Sequence, residues 1–209
     1  MLMPNPIVRL QDFVDSIEDS ALAPWADHLP WELTSNSEAI VRELIAFLVV
    51  EDFAVTGDIA VHRTATVEAG AILKGPLILG ADCFVAAGAY LRGGNWVDQR
   101  CIFGPGAELK SSFVFAGTKL AHFNFVGDSI LGADVNLEAG SIVCNYRNER
   151  SDKEIWVRVG NDLQRTGQTK FGAVIGDHAR VGANAVIAPG GLLTPGSVLR
   201  RTTLWDADD

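Results

Sequence analysis

The sequence is poor in cysteine. It has three, Cys83, Cys101 and Cys144, and no two of them form a CxxC pair. An odd count without a secretory signal is the usage of a reducing compartment, so free thiols and a cytoplasmic location are expected. The start, MLMPNPIVRLQDF, lacks a basic stretch followed by an apolar run and does not read as a signal peptide. Uncharged apolar runs are also missing. None approaches the ~20 residues that a membrane-spanning helix needs, so no membrane partner is expected. Positive charge is scarce too: 17 Lys and Arg stand against 26 Asp and Glu, a net charge of −9. The general field repels phosphates, which argues against nucleic acid as a partner but leaves room for a local basic site.

What the chain does have is apolar residues and a repeat. Its 209 residues are 48% hydrophobic, enough for a sizeable core. From Val55 the sequence divides into sixes, each opening on an apolar residue: Val55, Val61, Val67, Leu73, Leu79, Val85, Leu91, Val97, Phe103, Leu109, Phe115 and Ala121. The phase slips, resumes at Leu131, Leu137 and Val143, and returns after an interruption from Ile175 to Leu199. A period of six fits no amphipathic helix, and the frequent glycines and prolines exclude long helices. The pattern predicts a hexapeptide parallel β-helix, with three sixes to a triangular coil of about 18 residues. Residues 18 apart should then stack. Cys83 and Cys101 are such a pair, either as small residues filling a narrow corner or as a redox pair.

Residues 1–54 do not follow this period. A helix over Ile7–Ile17, a proline-broken aromatic connector (Pro24, Trp25, Pro30, Trp31) and a second helix from a Ser35–Glu38 capping box to about Val50 are expected. This segment would cap the first coil or dock on a flank, with a partner-binding helix as the alternative. Residues 55–204 form the β-helix, broken by a hairpin excursion over 147–169 that either covers a site or is a plain surface flap. An acidic tail, 205–209, is expected to fray.

Chemistry concentrates in KLAHFNFVGDSILGADVNLEAGSIVCNY, residues 119–146. Lys74, Arg92 and Lys110 are each 18 apart, so they should stack on one outer face. Such a column is either three splayed, solvated tips or a phosphate clamp, in which Arg can hold two phosphate oxygens at once. His122 lies two sixes beyond Lys110 and should sit on a different face; a threefold assembly could bring that face near a neighbour's ladder.

The AH-x-x-x-x-GD and CNY motifs, at this spacing, resemble the acetyltransferase domain of the bifunctional N-acetylglucosamine-1-phosphate uridylyltransferase and glucosamine-1-phosphate acetyltransferase. KFGAVIGD after a hairpin looks more like the archaeal sugar-1-phosphate nucleotidylyltransferase/acetyltransferases. The resemblance covers roughly residues 70–200 and implies an all-β, left-handed β-helix and a homotrimer. It implies an N-acyltransferase that uses acetyl-CoA as co-substrate, needs no metal, and acts on an amino-sugar phosphate or nucleotide sugar. By position, His122 matches the general base and Asn145 and Tyr146 the pair beside the reacting groups. Arg92 and Lys110 match the sugar-phosphate ligands, Asn136 and Lys170 further substrate contacts, and Ala139 and Ala183 cofactor contacts.

The chain departs from that pattern in three places. Phe125 replaces a substrate-binding tyrosine, Ala183 replaces a serine, and the family's C-terminal basic residue is not matched. These departures motivate the alternative of a non-catalytic sugar-phosphate-binding or assembly module that has lost the cofactor site. No Gly-rich nucleotide loop precedes residue 50, so uridylyl transfer is not expected, and whether a separate nucleotidyltransferase chain is a partner stays open. The β-helical carbonic anhydrases need three metal-binding histidines. His28, His62, His122 and His178 are scattered, with His62 and His178 read as surface turn residues.

Overall fold

The computed structural model describes residues 8–207. Three parallel sheets run along the molecule, each adding one short strand per coil. The first coil is Ile59–His62, Thr66–Val67 and Ile72–Leu73, and the last of seven is Gly191–Leu193, Val198–Leu199 and Leu204–Trp205. This is the expected left-handed parallel β-helix of hexapeptide repeats. One extra strand, Phe53–Thr56, pairs antiparallel with Ile59–His62 and extends the first sheet by an eighth strand.

The openers fill the prism because alternate strand residues face opposite sides. Leu79, Val85, Leu91, Val97, Phe103 and Leu109 are all fully or almost fully buried in one axial core. Beyond Leu109 the expected phase fails. The inward residues are Val114, Leu120 and Val126, then Leu131, Leu137 and Val143. Phe115 is buried outside the prism instead, its ring 5.2 Å from that of Trp96. Ala121 lies at a corner, and Val55 is exposed on the antiparallel strand.

The physical cause is a change in coil length. Leu91 pairs with Leu109 at a separation of 18, whereas Leu109 pairs with Val126 at 17. Buried polar side chains supply hydrogen bonds along the shortened corner. Asn95 Oδ1 accepts from Ser112 N–H at 3.0 Å, Ser112 Oγ from Ser129 N–H at 3.1 Å, and Ser129 Oγ from Ala173 N–H at 3.1 Å. A second corner uses the same device, with Thr118 Oγ1 accepting from Val135 N–H at 3.0 Å. Cys83 Sγ does likewise for Cys101 N–H at 3.4 Å. The two cysteines are therefore stacked neighbours, both buried and both free. Their contact lowers the pKa of the Cys83 thiol; the same contact, with burial, raises that of Cys101 well above the usual range.

The N-terminal segment docks along a flank. The helix expected over Ile7–Ile17 is absent among the described residues, where short 3-10 turns at Leu10–Asp12, Ile17–Asp19 and Ala23–Trp25 replace it. Two helices follow, α1 (Pro30–Ser35) and α2 (Ser37–Ala46). Pro30 opens α1, where its missing N–H costs nothing. The Ser35–Glu38 capping box does not form: α2 has no side-chain cap, and Ser35 Oγ donates to Glu32 O at 2.9 Å. Leu10, Val14, Ile17, Leu22, Trp31, Leu33 and Val41 pack on the outer side of the first sheet, against Ile78, Trp96, Phe113, Ile130 and Val174. Asp177 pins the segment near the sixth coil, accepting from Asp15 N–H at 2.9 Å while its own N–H donates to Phe13 O. Gly94 admits α2 at the other end. It has φ +84, and a Cβ there would lie 2.6 Å from Glu38 N.

The hairpin, Trp156–Val159 with Asp162–Arg165, prolongs this layer. Ile155 and Val157 are fully buried in the same outer cluster, so it is packed down rather than thrown out. The tail is also held. Trp205 belongs to the third sheet, Asp206 binds Arg147, and Ala207 O accepts from Arg158 Nε at 2.6 Å. The expected fraying therefore fails for residues 205–207. No helix is long and apolar enough to cross a membrane among the described residues.

Candidate active site

The motif residues gather along two different corners of the prism. One corner joins the third sheet to the first. Arg92 and Lys110 end successive strands of the third sheet and are direct register partners there, on one wall as the spacing predicts. Lys74 lies one coil before them, donating its N–H to Leu91 O.

The charges on this wall are partnered, an arrangement that neither splayed tips nor an empty clamp describes. Arg92 donates to Glu108 Oε1 from Nε at 2.8 Å and from Nη2 at 2.7 Å. Lys110 Nζ donates to both oxygens of Asp128 at 2.9 Å. Lys74 Nζ and Arg92 Cζ lie 5.2 and 5.6 Å from the centre of the Tyr90 ring, which places an aromatic face beside two like charges. Carboxylates and a ring thus offset the repulsion that a bare ladder would suffer.

Asp128, the last residue of the AH-x-x-x-x-GD motif, is the hub of this corner; the motif gives it no role, although it stands 18 residues after Lys110. It is buried, and it also accepts from Asn145 Nδ2. Asn145 follows the fifth coil's third strand, and its carbonyl accepts from Phe171 N–H at 3.2 Å. Tyr146 is half-exposed, with Lys153 Nζ 5.2 Å above its ring. Arg147 anchors the segment behind them. Its buried guanidinium grips Asp206 through two bonds of 2.7 and 2.6 Å and donates to Pro189 O at 3.0 Å. The Arg147 hydrogen bonds hold the Asp206 carboxyl below its usual range. Lys170 is exposed at the same corner, in the loop before Phe171.

The second corner joins the second sheet to the third. His122 follows the strand Lys119–Leu120 and is solvent-exposed, not shut in a dry interior. Gly104 makes room beneath it, since a Cβ there would lie 1.6 Å from Ala121 O and 3.2 Å from His122 Nδ1. Asn124 fixes the turn, with Nδ2 donating to Glu138 O at 2.8 Å and to Ser141 Oγ at 2.9 Å. Phe123, 74% exposed, stands beside the histidine in sequence. Phe125 is on the third sheet, between the register positions of Glu108 and Ile142, and has no hydroxyl to offer.

Ala139 and Ala183 stack above His122 along this corner. Gly140 N–H donates to His122 O at 2.8 Å, and Asn184 N–H donates to Ala139 O at 3.0 Å. Glu138 accepts from Ala183 N–H at 2.8 Å and from Arg201 Nε and Nη2 at 2.7 Å each. The hydrogen bonds from Arg201, then that from Ala183, hold the Glu138 carboxyl below its usual range. Alongside runs a groove of about 500 Å³ lined by Asn136, Glu138, Arg180, Val198, Arg200 and Arg201. This basic groove was not read from the sequence. The signal for it was the pairing of Asn136 with Arg180 across the 147–169 interruption, which hides the repeat spacing. Among the described residues, no three His, Cys, Asp or Glu side chains gather as metal ligands would.

No protein-family model matches the chain. It is 31% identical over 182 residues to a bifunctional sugar-1-phosphate nucleotidylyltransferase/acetyltransferase of Sulfurisphaera tokodaii, covering 82% of this chain and 45% of that protein. It is 26% identical over 182 residues to the bifunctional protein GlmU of Methanococcus vannielii, covering 86% of this chain and 43% of that protein. The chain thus spans less than half the length of these relatives, and the resemblance carried by the motifs is found again over most of it. Among solved structures, a hexapeptide transferase family protein of Anaplasma phagocytophilum matches at a TM-score of 0.38 with 22% identity, covering 70% of this chain and 72% of that one. A perosamine N-acetyltransferase of Caulobacter crescentus, in complex with CoA and GDP-perosamine, matches at 0.31 with 17% identity, covering 70% of this chain and 51% of that one.

Proposed function

We propose that this chain, a relative of the bifunctional sugar-1-phosphate nucleotidylyltransferase/acetyltransferases over 182 residues, is an acyl-CoA-dependent N-acyltransferase for an amino-sugar phosphate or nucleotide sugar. Acetyl is the acyl group and the cytoplasm the location. The observation that carries the reading is the exposed His122 at the head of a corner that leads, coil by coil, to a groove with three arginines. From His122 to Arg201 the corner climbs three coils, about 14 Å at the usual strand spacing. An extended thioester arm would lie along Ala139 and Ala183, with its phosphates toward Arg180, Arg200 and Arg201.

In this reaction the sugar ammonium first gives one proton to solvent. The free amine attacks the thioester carbonyl, a C–N bond forms, and His122 takes the second proton from that nitrogen as the C–S bond breaks. The thiolate leaves and takes this proton from the imidazolium. A base whose ordinary pKa is near neutrality suits that exchange, and backbone N–H groups would stabilise the oxyanion. Arg92, Lys110, Asn136, Tyr146 and Lys170 hold the acceptor. Because His122 and the Arg92–Lys110 wall lie on different corners, the complete site needs a neighbouring copy. A homotrimer of prisms supplies it. His122→Ala should cost at least about a hundredfold in acetyl transfer to glucosamine 1-phosphate; unchanged turnover would refute the base.

One observation favours a second reading, a non-catalytic sugar-phosphate-binding or assembly module. Arg92 and Lys110 already hold carboxylates, so a phosphate must compete with Glu108 and Asp128. Calorimetry with acetyl-CoA separates the two, since micromolar binding argues against the module.

A further inference from the structure

The N-terminal layer does more than cover the first sheet. Between the α1–α2 turn and the Asn145 corner lies a cleft of about 520 Å³. On one wall are Asn36 and Arg42, and on the other Gln168, Thr169 and Lys170; Asp128 is part of the floor. No large apolar side chain lines it, and its other groups are mostly hydroxyls and charged or amide side chains. A plain packing seam between two layers would be apolar, as the rest of this layer is.

Three further observations point to a ligand. Among the described residues, the side chains of Gln168, Thr169 and Lys170 make no hydrogen bond or ion pair with the protein. These three consecutive residues face the cleft. The floor is continuous with the acceptor corner, because the same Asp128 holds Lys110 and Asn145. The position of α2 is built in, since Gly94 leaves no room for a side chain beneath it and Ser37 Oγ reaches Gly93 O at 3.5 Å. A ring bearing several hydroxyls needs donors and acceptors in alternation, and amides, hydroxyls, a carboxylate and an ammonium provide both.

We infer that this cleft takes the non-reacting hydroxyls of the amino-sugar acceptor, so that the α1–α2 turn and Gln168–Lys170 decide which sugar is accepted. The inference rests on the acyltransferase reading above and adds the N-terminal layer to its acceptor site. Each hydrogen bond lost to a sugar hydroxyl should weaken acceptor binding about threefold to tenfold.

The test is steady-state kinetics with acetyl-CoA and glucosamine 1-phosphate on the full chain. The variants are Gln168→Ala, Thr169→Val, Arg42→Ala and the Gln168→Ala/Thr169→Val pair, with His122→Ala alongside. All four cleft changes are at partly or fully exposed positions, so folding should survive. The expected result is an acceptor KM raised about threefold to tenfold in each single variant and further in the pair. The acetyl-CoA KM and kcat should hold. An acceptor KM unchanged in the pair, while His122→Ala loses turnover, overturns the cleft and leaves the acyltransferase reading standing. A rise in both KM values together, with lower kcat, marks a structural effect and also overturns it. No turnover by the unsubstituted chain with glucosamine 1-phosphate, nor with a panel of other amino-sugar phosphates and nucleotide amino sugars, overturns the acyltransferase reading and the cleft with it.

Discussion

The two corners of the prism are built on opposite principles. At the corner between third and first sheets, the two register-paired cations are held: Arg92 by Glu108 and Lys110 by Asp128, with Asn145 drawn onto the same carboxylate. At the corner between second and third sheets, His122 is exposed, and Phe123 beside it puts a bare aromatic ring into solvent. A held corner keeps its geometry without help, since its side chains have already given up their freedom. An open corner has that ordering still to come. On the proposed function, this contrast would put the acceptor wall on the rigid corner and leave His122 to be completed by contact with a second copy.

The sharpest way to break this contrast is to remove the base. His122→Ala should leave the melting temperature nearly unchanged, as expected for an exposed residue, yet lose at least about a hundredfold in acetyl transfer. The opposite pattern belongs to the rigid corner. Asp128→Ala leaves Lys110 and Asn145 without their partner in a largely buried setting. Denaturant unfolding should show about 3 kcal/mol lost, together with a raised acceptor KM.

Behind that corner, Asp206→Asn should weaken the grip on Arg147 and cost about 2 kcal/mol at neutral pH. The sign follows from the direction of the shift. Asp206 has a folded pKa below its ordinary value, so its stabilisation is complete above the ordinary carboxylate pKa. It is lost as pH falls through that value and the depressed one. Melting curves from pH 7 down to acid should therefore converge for the two proteins. The smallest effect belongs to the cysteine corner. Cys83→Ser keeps an acceptor for Cys101 N–H and should change stability by less than about 1.5 kcal/mol. Intact mass of the non-reduced protein should show free thiols.

How much of this was legible in the sequence follows from which interactions are periodic. The prism, the stacking of Cys83 on Cys101 and the Arg92–Lys110 wall all repeat at one spacing, and one spacing can be read. The coils of 17 were missed because Asn95, Ser112 and Ser129 bridge the missing residue with side-chain hydrogen bonds that leave no mark on the apolar pattern. Phe115 was misplaced for the same reason. It is as apolar as a true opener but faces Trp96 and the N-terminal layer. The layer itself has no period, because 3-10 turns laid on a sheet bury whichever apolar residues meet the flank. Arg147 and Asp206 are 59 residues apart and share no motif, so the tail's anchorage could only be seen folded.

The most direct test of a site shared between two corners of neighbouring copies is complementation. His122→Ala and Lys110→Ala are each expected to be nearly inactive alone. After the two are unfolded and refolded together, mixed oligomers should regain a substantial fraction of wild-type acetyl transfer, because some sites then pair an intact His122 with an intact Lys110. Mixed oligomers that form, as judged by mass spectrometry of differently tagged chains, yet stay as inactive as either parent would contradict the account.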